Sequence, residues 1–249
     1  MGEKMKVFIL YAHPEPEASF QAALFRKGVE TLELQGHEVV VSDLYKMEFN
    51  PVASAKDFSE RRFPERLQYD REQKFAVDND SLPEDVKSEL KKVFWCDLFI
   101  VQFPLYWFST PAILKGWFDR VFVNSVVYGA GKRYENGGLK GRKAMVVTSC
   151  GAYPEMFEPD GMMGDINVAL WHLHNGTLFY TGFEVLPPFV AYSPVFLGQD
   201  ACDKYLNDYS TRLKTIDKTE PMKFHPLTDF GSDFKLKPDV TPSSAGHRR

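Results

Sequence analysis

The sequence predicts an α/β fold in which helices cover both faces of a doubly wound parallel sheet. Five short runs rich in Val, Ile, Leu or Phe have the length of strands buried on both faces, and segments of helical spacing alternate with them. This alternation is typical of βαβ units. The predicted strands are Lys6–Tyr11, Glu38–Ser42, Asp97–Gln102, Lys143–Thr148 and Phe183–Val190.

Helix signals lie between these strands. Ser81 and Glu84 have the spacing of a capping box, which predicts a helix that begins at Ser81. After Thr110 the apolar residues recur at helical spacing, so one face of that helix is expected to pack on the sheet. The five predicted helices cover 19–34, a segment beginning at 81, a segment beginning at 110, 166–179 and 201–216.

Composition and charge restrict the class of protein. The chain has 30 Lys and Arg residues scattered among 34 Asp and Glu residues, with a formal net charge of -4, which argues against nucleic acid and anionic membranes as partners. No segment approaches the roughly 20 apolar residues of a membrane span. Cys96, Cys150 and Cys202 lie far apart, which suits a reducing compartment. We therefore expect a cytoplasmic protein without an integral membrane segment.

Two segments do not follow the alternation. Residues 50–80 are charged and without a clear period, and a loop of this length in a compact domain is usually functional, so we interpret it as a functional excursion. Residues 221–240 are too apolar for a free tail. The expected organisation is one domain over residues 1–220, a segment over 221–240 that packs on the domain or a partner, and a disordered tail over 241–249.

Ligands of open α/β sheets bind beyond the carboxyl ends of the strands, so the loops after the first, third and fourth predicted strands are candidate sites. The first loop supplies His13, the Ser19 hydroxyl and a helix N-terminus, whose unpaired N–H groups favour phosphate. It is a candidate pyrophosphate cradle. The alternative is that Ser19 only caps the helix and that His13 is an ordinary loop histidine.

The loop after the third strand carries a cluster of aromatic residues. Flat rings at a ligand-binding edge suit a flat heteroaromatic such as isoalloxazine and a flat substrate stacked on it. The alternative is that Trp107 and Phe108 only fill the core beside the next helix. After the fourth strand, the small residues of 149–152 let a ligand approach the backbone closely.

Several well-known motifs are missing. The sequence has no G-x-G-x-x-G after a strand and no P-loop, which disfavours a Rossmann dehydrogenase and a P-loop NTPase, and it has no nucleophile elbow G-x-S-x-G. His172 and His174 are two residues apart on a predicted helix. They point to different sides and cannot chelate one metal as an i, i+4 pair could.

Four runs carry a resemblance to a known family. Residues 102–122 read QFPLYWFSTPAILKGWFDRVF, and they occur with AHPEPEASF near the start, SDLYKMEFNP at 42–51 and GDINVALW at 164–171. Over about residues 6–230 the chain resembles the mammalian-type NAD(P)H:quinone oxidoreductases. The resemblance implies a flavodoxin-like five-stranded parallel sheet of order 2-1-3-4-5, a homodimer, and FAD held at the dimer interface.

The resemblance also implies sets of contacting residues, carried over by position. The pyrophosphate and ribityl set is His13, Ser19, Phe20 and Gln21, the last where the family has Asn. The isoalloxazine set is Pro104, Leu105, Tyr106, Trp107, Phe108, Ser149, Cys150, Gly151 and Ala152, of which the last four match a Thr-Thr-Gly-Gly loop. Gln68 matches a contact to the adenosine of the partner's FAD. The residues around the substrate are Trp107, Phe108 and the partner's matching Tyr128.

The departures from the family concern the chemistry. Phe157 and Met163 stand where its best-known member has a Tyr and a His that relay charge to the flavin, and neither can donate a proton. We therefore expect backbone N–H groups near Gly151 and Ala152, or water, to stabilise the charge. The catalytic-site candidates are Gly151, Phe157 and Met163. Asn175 and Phe179 replace the zinc-binding histidines of a related mammalian enzyme, so no structural metal is expected.

The function implied by the resemblance is two-electron reduction of quinones by NAD(P)H through bound FAD, with ping-pong hydride transfer. Two alternatives remain open. The loop HPEPEAS also resembles bacterial ancillary reductases that regulate potassium-efflux transporters, which makes a regulatory subunit a rival function. An FMN-dependent azo- or nitroreductase is the second alternative. No dinucleotide fingerprint is present to decide between NADH and NADPH.

Overall fold

Five parallel strands form one sheet in the order β2-β1-β3-β4-β5 in the computed structural model, which describes residues 4–242 and 246–247. The expected strand order and parallel pairing are thus confirmed. The strands are β1 (Lys6–Tyr11), β2 (Glu38–Asp43), β3 (Leu98–Pro104), β4 (Lys143–Cys150) and β5 (Glu184–Tyr192). The helices are α1 (Phe20–Leu34), α2 (Tyr69–Asp78), α3 (Glu84–Trp95), α4 (Ala112–Val121), α5 (Ile166–Ala169), α6 (Trp171–Leu173), α7 (Pro194–Leu197) and α8 (Gln199–Lys214).

The register of the central strands places their carboxyl ends side by side. Tyr11 of β1 lies opposite Gln102 of β3, and Pro104 of β3 lies opposite Ser149 of β4. All residues of β3 are buried, because helices cover both faces of this central strand. The loops that follow β1, β3 and β4 therefore meet at one edge of the sheet.

Two apolar cores lie on opposite faces of the sheet. On one face α1 packs against α8, and Gly28 is needed there because a Cβ would lie 2.9 Å from the Tyr209 ring. On the other face Phe99 stacks on Phe183 with ring centroids 5.5 Å apart, and Trp117 of α4 lies 5.8 Å from Phe99. Both faces are thus closed by well-packed aromatic side chains.

A buried ion-pair network holds the excursion of residues 50–80 on the domain. Arg120 of α4, which is 3% exposed, donates to Asp57 at 2.9 Å and to Asp85 at 2.6 Å. The Tyr69 hydroxyl donates to the same Asp57 carboxylate at 2.7 Å. The buried charges of Arg120 and Asp57 therefore satisfy each other, and the more exposed Asp85 adds a second acceptor at the edge of the network.

The excursion also contains a helix that the sequence does not predict. The buried face of α2 carries the polar Glu72 and Gln73, so the segment lacks hydrophobic periodicity. The Glu72 carboxylate accepts hydrogen bonds from the N–H groups of Arg62 and Phe63, at 2.7 and 2.9 Å. Backbone donors from the excursion thus satisfy the buried carboxylate.

Two predicted helices differ from the observed ones. The capping box is wrong, because α3 begins at Glu84 and the Ser81 hydroxyl instead contacts the carbonyl of Ala76. The helix predicted over residues 166–179 is divided into α5, α6 and a π-helical segment, His174–Phe179. The division occurs because the backbone leaves helical dihedrals between α5 and α6.

The segment after α8 runs beside the edge strand β5. The N–H of Met222 donates to the carbonyl of Val185 at 2.7 Å. The Phe224 ring stacks on Phe179 with centroids 4.8 Å apart. In the structure this stretch therefore lies against the domain of its own chain.

The predicted disordered tail falls partly outside the described residues, which exclude 243–245 and 248–249. Within the described part, the His247 ring meets the Trp171 ring edge-on with centroids 5.3 Å apart. Over residues 4–242 and 246–247, none of the helices has the length and apolar character needed to cross a membrane.

Candidate functional site

A cavity of about 320 Å³ lies at the edge of the sheet where the loops after β1, β3 and β4 meet. We call it the first cavity. It brings together most of the residues predicted to contact a cofactor. The predicted residues that line it are His13, Ser19, Phe20, Gln21, Pro104, Leu105, Tyr106, Ser149, Cys150 and Gly151.

The loop before α1 is held by its own polar groups. The Glu15 carboxylate accepts the N–H of Glu17 at 3.0 Å, and this backbone hydrogen bond is the main cause of the lowered pKa of Glu15. Ser19 caps α1 by accepting the N–H of Ala22 at 3.0 Å, and it donates to the carbonyl of Glu15 at 2.8 Å. Since Ser19 also lines the cavity, capping and a place in the ligand site are compatible.

The first turn of α1 leaves backbone donors beside the first cavity. Within the part of the chain that the structure describes, the N–H groups of Phe20 and Gln21 have no acceptor. Such orphan groups at a helix N-terminus attract anions, because the helix dipole adds to the donors. This end of the cavity is therefore suited to a phosphate group.

The side chain of Gln21 lines the first cavity and is also hydrogen-bonded inside the protein. It is 2% exposed, and its Nε2 donates to the carbonyl of Phe103 at 3.0 Å and to the Ser149 hydroxyl at 2.9 Å. Its Oε1 accepts from Gln102 Nε2 at 2.9 Å. Both donors are thus used inside the protein, so Gln21 acts on the site by fixing Ser149.

An aromatic turn follows β3. The N–H of Tyr106 donates to the carbonyl of Ser109 at 3.0 Å, and the reverse bond is 2.9 Å. Trp107 and Phe108, between them, have φ of 50° and 60°, in the left-handed region that L-residues of this size rarely adopt. Trp107 is 96% exposed, so the alternative that it fills the core is wrong. A strained backbone that presents an exposed ring is typical of ligand sites.

A second cavity, of about 300 Å³, adjoins the first and shares Leu105, Cys150 and Gly151 with it. Its other lining residues are Trp107, Phe108, Ala152, Met156, Phe157 and Met163. Burial raises the pKa of the Cys150 thiol, which therefore stays neutral at ordinary pH. The described lining is apolar and uncharged, so it suits a flat, uncharged ring.

Phe157 and Met163 both lie at the second cavity, as predicted for the catalytic-site candidates. Phe157 is buried and meets Phe108 edge-on, with ring centroids 6.0 Å apart. The N–H of Met163 donates to the carbonyl of Met156 at 2.9 Å, which fixes its loop. Neither side chain can supply a proton there.

The loop after β4 keeps two backbone donors beside the second cavity. Its carbonyls are occupied, since Cys150 accepts the Ser193 N–H at 2.8 Å and Gly151 accepts the Ser193 hydroxyl at 3.0 Å. Among the described residues, no backbone acceptor faces the N–H groups of Gly151 and Ala152, although the Ala152 N–H also lies near the Cys150 sulfur, where it partly offsets the effect of burial on the pKa of that thiol. These are the donors expected to meet negative charge.

Sequence reasoning missed the loop after β5. Pro194, Val195 and Phe196 line the first cavity, and Phe196 is 76% exposed. The strand order contains the missing signal, because β5 lies beside β4 and its carboxyl end reaches the same edge of the sheet. Met156, at the second cavity, had no signal in the sequence.

Gln68 and Tyr128 line neither cavity. The two residues lie near each other, away from the cavities. Asn124 connects their neighbourhoods, because its side chain donates to the carbonyl of Asp70 at 3.1 Å and its backbone forms a β-bridge with Tyr128. Burial, followed by the charge of Asp70, raises the pKa of Tyr128. The structure therefore does not bring these two residues to the site of their own chain.

The predicted site residues are concentrated at the two adjoining cavities of the part of the chain that the structure describes. A larger open groove, of about 980 Å³, lies between α1 and the edge strand β2, and it contains none of them. In the described ranges, no three His, Cys, Asp or Glu side chains are grouped to hold a metal ion. The two adjoining cavities thus remain the candidate active site.

Comparison with known proteins identifies the family of the chain. The flavodoxin-like fold family matches residues 5–213. NAD(P)H dehydrogenase (quinone) 1 of Cavia porcellus is 38% identical over 245 residues, which are 96% of this chain and 89% of that protein. Ribosyldihydronicotinamide dehydrogenase (quinone) of Pongo abelii is 42% identical over 218 residues, which are 87% of this chain and 94% of that protein.

A solved structure extends the likeness to the whole fold. A Klebsiella pneumoniae protein assigned as a quinone reductase has a TM-score of 0.90 and 35% identity, and the match covers 98% of each chain. Sequence and structure therefore agree over nearly the full length. The chain belongs to the NAD(P)H:quinone oxidoreductase family of the flavodoxin-like fold.

Proposed function

We propose that this chain is an FAD-dependent NAD(P)H dehydrogenase (quinone) that works as a homodimer and reduces quinones in a ping-pong reaction. The observation that carries the proposal is the pair of adjoining cavities at one edge of the sheet, which share Leu105, Cys150 and Gly151. One cavity has orphan helix N–H groups and the other has aromatic walls. A phosphate-bearing flavin requires these two environments side by side.

The residues present fit a flavin. The N–H groups of Phe20 and Gln21 would hold its phosphate, because they have no acceptor among the described residues. Trp107 and Phe108 would flank the flat ring and the molecule that stacks on it. The small side chain of Ala152 leaves the backbone of its loop accessible. Every one of these residues lines one of the two cavities.

A bound flavin supplies the redox chemistry, accepting hydride from NAD(P)H and passing two electrons to the quinone. The chain's own residues orient the reactants and exclude water, since the second cavity is lined by aromatic and methionine side chains. The N–H groups of Gly151 and Ala152 are placed to stabilise negative charge without a side-chain proton donor. This division of roles agrees with Phe157 and Met163 at the cavity wall.

The positions of Gln68 and Tyr128 support the homodimer. Both lie outside the cavities of their own chain, so a contact with the cofactor or substrate requires a second chain. We propose that Gln68 meets the adenosine part of the partner's FAD and that Tyr128 covers the partner's substrate.

The free thiols of Cys96, Cys150 and Cys202 fit a cytoplasmic location, where such groups stay reduced.

Identification of the bound flavin is the decisive experiment. The purified protein is denatured, and the released flavin is separated by chromatography against FAD and FMN standards. Light scattering on the native protein gives its oligomeric state. Initial rates with NADH or NADPH and a benzoquinone, varied together, should give the parallel double-reciprocal lines of a ping-pong reaction.

Each result has a definite consequence. Release of FAD from a dimer with rapid quinone turnover supports the proposal. Release of FMN, with azo dyes or nitroaromatics as better acceptors than quinones, would assign a different reductase activity. Bound flavin with negligible quinone turnover would instead favour a regulatory subunit.

A further inference from the structure

The aromatic turn must be held in place by its surroundings. Trp107 and Phe108 both have positive φ, which is unfavourable for residues with a Cβ, and each could relax into an ordinary turn conformation. The two backbone hydrogen bonds between Tyr106 and Ser109 close the turn, but ordinary turns make a similar bond. A further restraint is needed to keep the two rings on the second cavity.

A side-chain hydrogen bond supplies this restraint. The Ser109 hydroxyl lies 3.0 Å from His172 Nε2, and His172 Nδ1 lies 3.0 Å from the carbonyl of Ala169. A carbonyl can only accept, so Nδ1 of the neutral ring carries the hydrogen. Nε2 is then an acceptor, and the Ser109 hydroxyl donates to it.

His172 is itself fixed on a folded element. It lies in α6, and its carbonyl accepts the Thr177 hydroxyl at 3.1 Å. The bond to the carbonyl of Ala169 fixes its ring from the preceding α5. The Ser109 hydroxyl is therefore bonded to an exposed side chain that is itself hydrogen-bonded to α5, and Ser109 directly follows Phe108 in the chain.

We propose that Ser109 and His172 are a positioning pair, which holds the Trp107–Phe108 turn against the second cavity and so sets the affinity for the flat reactants. The inference rests on the proposed function, because it assigns those reactants to the second cavity. Neither residue touches the reacting atoms. Loss of the pair should loosen the rings and leave the redox step itself intact.

A double-mutant cycle on the holoenzyme tests the pair. Ser109→Ala, His172→Leu and the double variant are compared with Ser109→Thr, which keeps the hydroxyl. Each single loss should raise KM for the quinone about three- to tenfold, as expected for one hydrogen bond, with kcat within about twofold. The double variant should be no worse than the single ones, and Ser109→Thr should behave like the unmodified protein.

The matched control is His37→Gln. Its histidine accepts the Met5 N–H at 3.1 Å before β1, at the opposite end of the sheet, so KM should not change. Hydrogen exchange of the Tyr106 and Ser109 amides provides a readout without turnover. Those amides should exchange faster in Ser109→Ala and His172→Leu than in the unmodified protein. This result is expected whether or not the protein reduces quinones.

Specific outcomes would overturn the inference. Multiplicative effects of Ser109→Ala and His172→Leu on KM would mean that the two side chains act separately. Unchanged exchange of the turn amides would mean that the turn is held without them. If quinone turnover is absent but exchange is accelerated in both single variants, the positioning pair stands and the proposed function fails.

Discussion

The ring of Phe108 meets the ring of Phe157 edge-on at the second cavity, with centroids 6.0 Å apart and planes at 68°. Phe157 in turn lies 6.0 Å from Tyr192 at the end of β5. The turn after β3 and the loop after β4 are thus joined by contact between aromatic rings. Phe157 consequently forms part of the cavity wall. A tyrosine at this position would add a hydroxyl group and make the wall polar.

The apolar wall predicts a weak pH dependence of hydride transfer. The described lining of the second cavity has the Cys150 thiol as its ionisable group, and burial raises the pKa of that thiol. Flavin reduction by NAD(P)H should therefore show no ionisation near the ordinary histidine pKa of about 6.5. Stopped-flow measurement of flavin absorbance between about pH 5 and about pH 8, on both sides of 6.5, tests for such an ionisation.

A paired variant completes that test. Phe157→Tyr with Met163→His adds a hydroxyl and an imidazole at the cavity wall. A hydrogen bond to a charged group contributes about 1.5–3 kcal/mol, so a correctly placed pair could raise the reduction rate by up to roughly a hundredfold. A poorly placed pair should leave the rate unchanged. A clear ionisation near neutrality in the unmodified enzyme would mean that a group outside the described lining of the second cavity takes part in the reduction step.

Trp107 and Trp117 should separate activity from stability. Trp107 is 96% exposed at the second cavity, whereas Trp117 is fully buried in the core. Trp107→Ala should lower kcat/KM about tenfold to a hundredfold by loss of stacking, and change the free energy of unfolding by less than about 0.5 kcal/mol. Trp117→Ala should cost about 3–5 kcal/mol. Urea unfolding and steady-state kinetics on both variants provide the measurement, and unchanged kinetics for Trp107→Ala would exclude a stacking role.

The partner's contribution can be tested in the same way. Tyr128 is half-buried outside both cavities of its own chain. If it covers the partner's substrate, Tyr128→Ala should lower kcat/KM about tenfold to a hundredfold while the flavin stays bound. Mixed dimers of Tyr128→Ala with Trp107→Ala chains would retain one site with both aromatic residues. Loss of activity in mixed dimers equal to that of either parent would contradict action across the interface.

The sequence was sufficient for the strands and for the edge of the sheet where the candidate site lies, because strand signals are local patterns. Apolar runs of strand length define β1 to β5 within one or two residues, and loops at the carboxyl ends of parallel strands must share an edge. It was insufficient for α2, where the buried Glu72 and Gln73 are satisfied by partners distant in the chain, such as the carbonyl of Arg120 for Gln73. Hydrophobic periodicity cannot reveal a face that is buried through polar contacts.

The role of Gln21 illustrates the limit for site residues. The resemblance implies a contact between its amide and the cofactor, and the fold in addition brings Phe103, Ser149 and Gln102 to that amide from two strands. Such contacts join residues up to 128 positions apart. They follow from strand order and register together, which a single sequence does not contain.

The buried amide network predicts a structural cost for Gln21→Leu. The substitution removes one of the two acceptors of the Gln102 amide, the donor to the Phe103 carbonyl and one partner of Ser149, and unsatisfied buried polar groups cost about 1–3 kcal/mol. The free energy of urea unfolding should fall by that amount, and the flavin should be held less tightly because Ser149 is no longer fixed. Gln199→Ala, at an exposed position of α8, is the matched control and should change stability by less than about 0.5 kcal/mol. Wild-type stability of Gln21→Leu would show that the network contributes little.

The buried arginine predicts how the excursion is attached. Arg120→Met leaves Asp57 as an uncompensated buried charge, which should cost about 3–5 kcal/mol. Lys115→Met on the same helix removes an exposed pair with Asp119 and should cost at most about 1 kcal/mol. Hydrogen exchange of α2 should accelerate in Arg120→Met and remain unchanged in Lys115→Met. Equal effects of the two variants would mean that Arg120 does not anchor the excursion.

The buried His174 should make the free energy of unfolding fall at acidic pH. It is 1% exposed, neither ring nitrogen has a hydrogen-bond partner among the described residues, and burial lowers its pKa to about 4. The unfolded chain, with an ordinary histidine pKa of 6.5, therefore binds the proton more tightly than the folded one. Stability from this group is fully present above pH 6.5 and is lost as the pH falls towards 4. At 1.36 kcal/mol for each pKa unit, the loss is about 3 kcal/mol.

The variant His174→Leu should remove this loss. It cannot take up a proton, and it also removes an unpaired buried polar group, so its free energy of unfolding at pH 7 should equal or exceed that of the unmodified protein by about 1 kcal/mol. His37→Gln is the control. Burial also lowers the pKa of His37, but that side chain is only partly buried, so this variant should keep most of the pH dependence of the free energy of unfolding. Urea unfolding at a series of pH values between about 4 and 7 provides the measurement. His174→Leu could instead lose stability on acidification as steeply as the unmodified protein. The acid sensitivity would then come from carboxylates whose pKa is lower in the folded state, and a hydrogen-bond partner such as a buried water would stabilise His174.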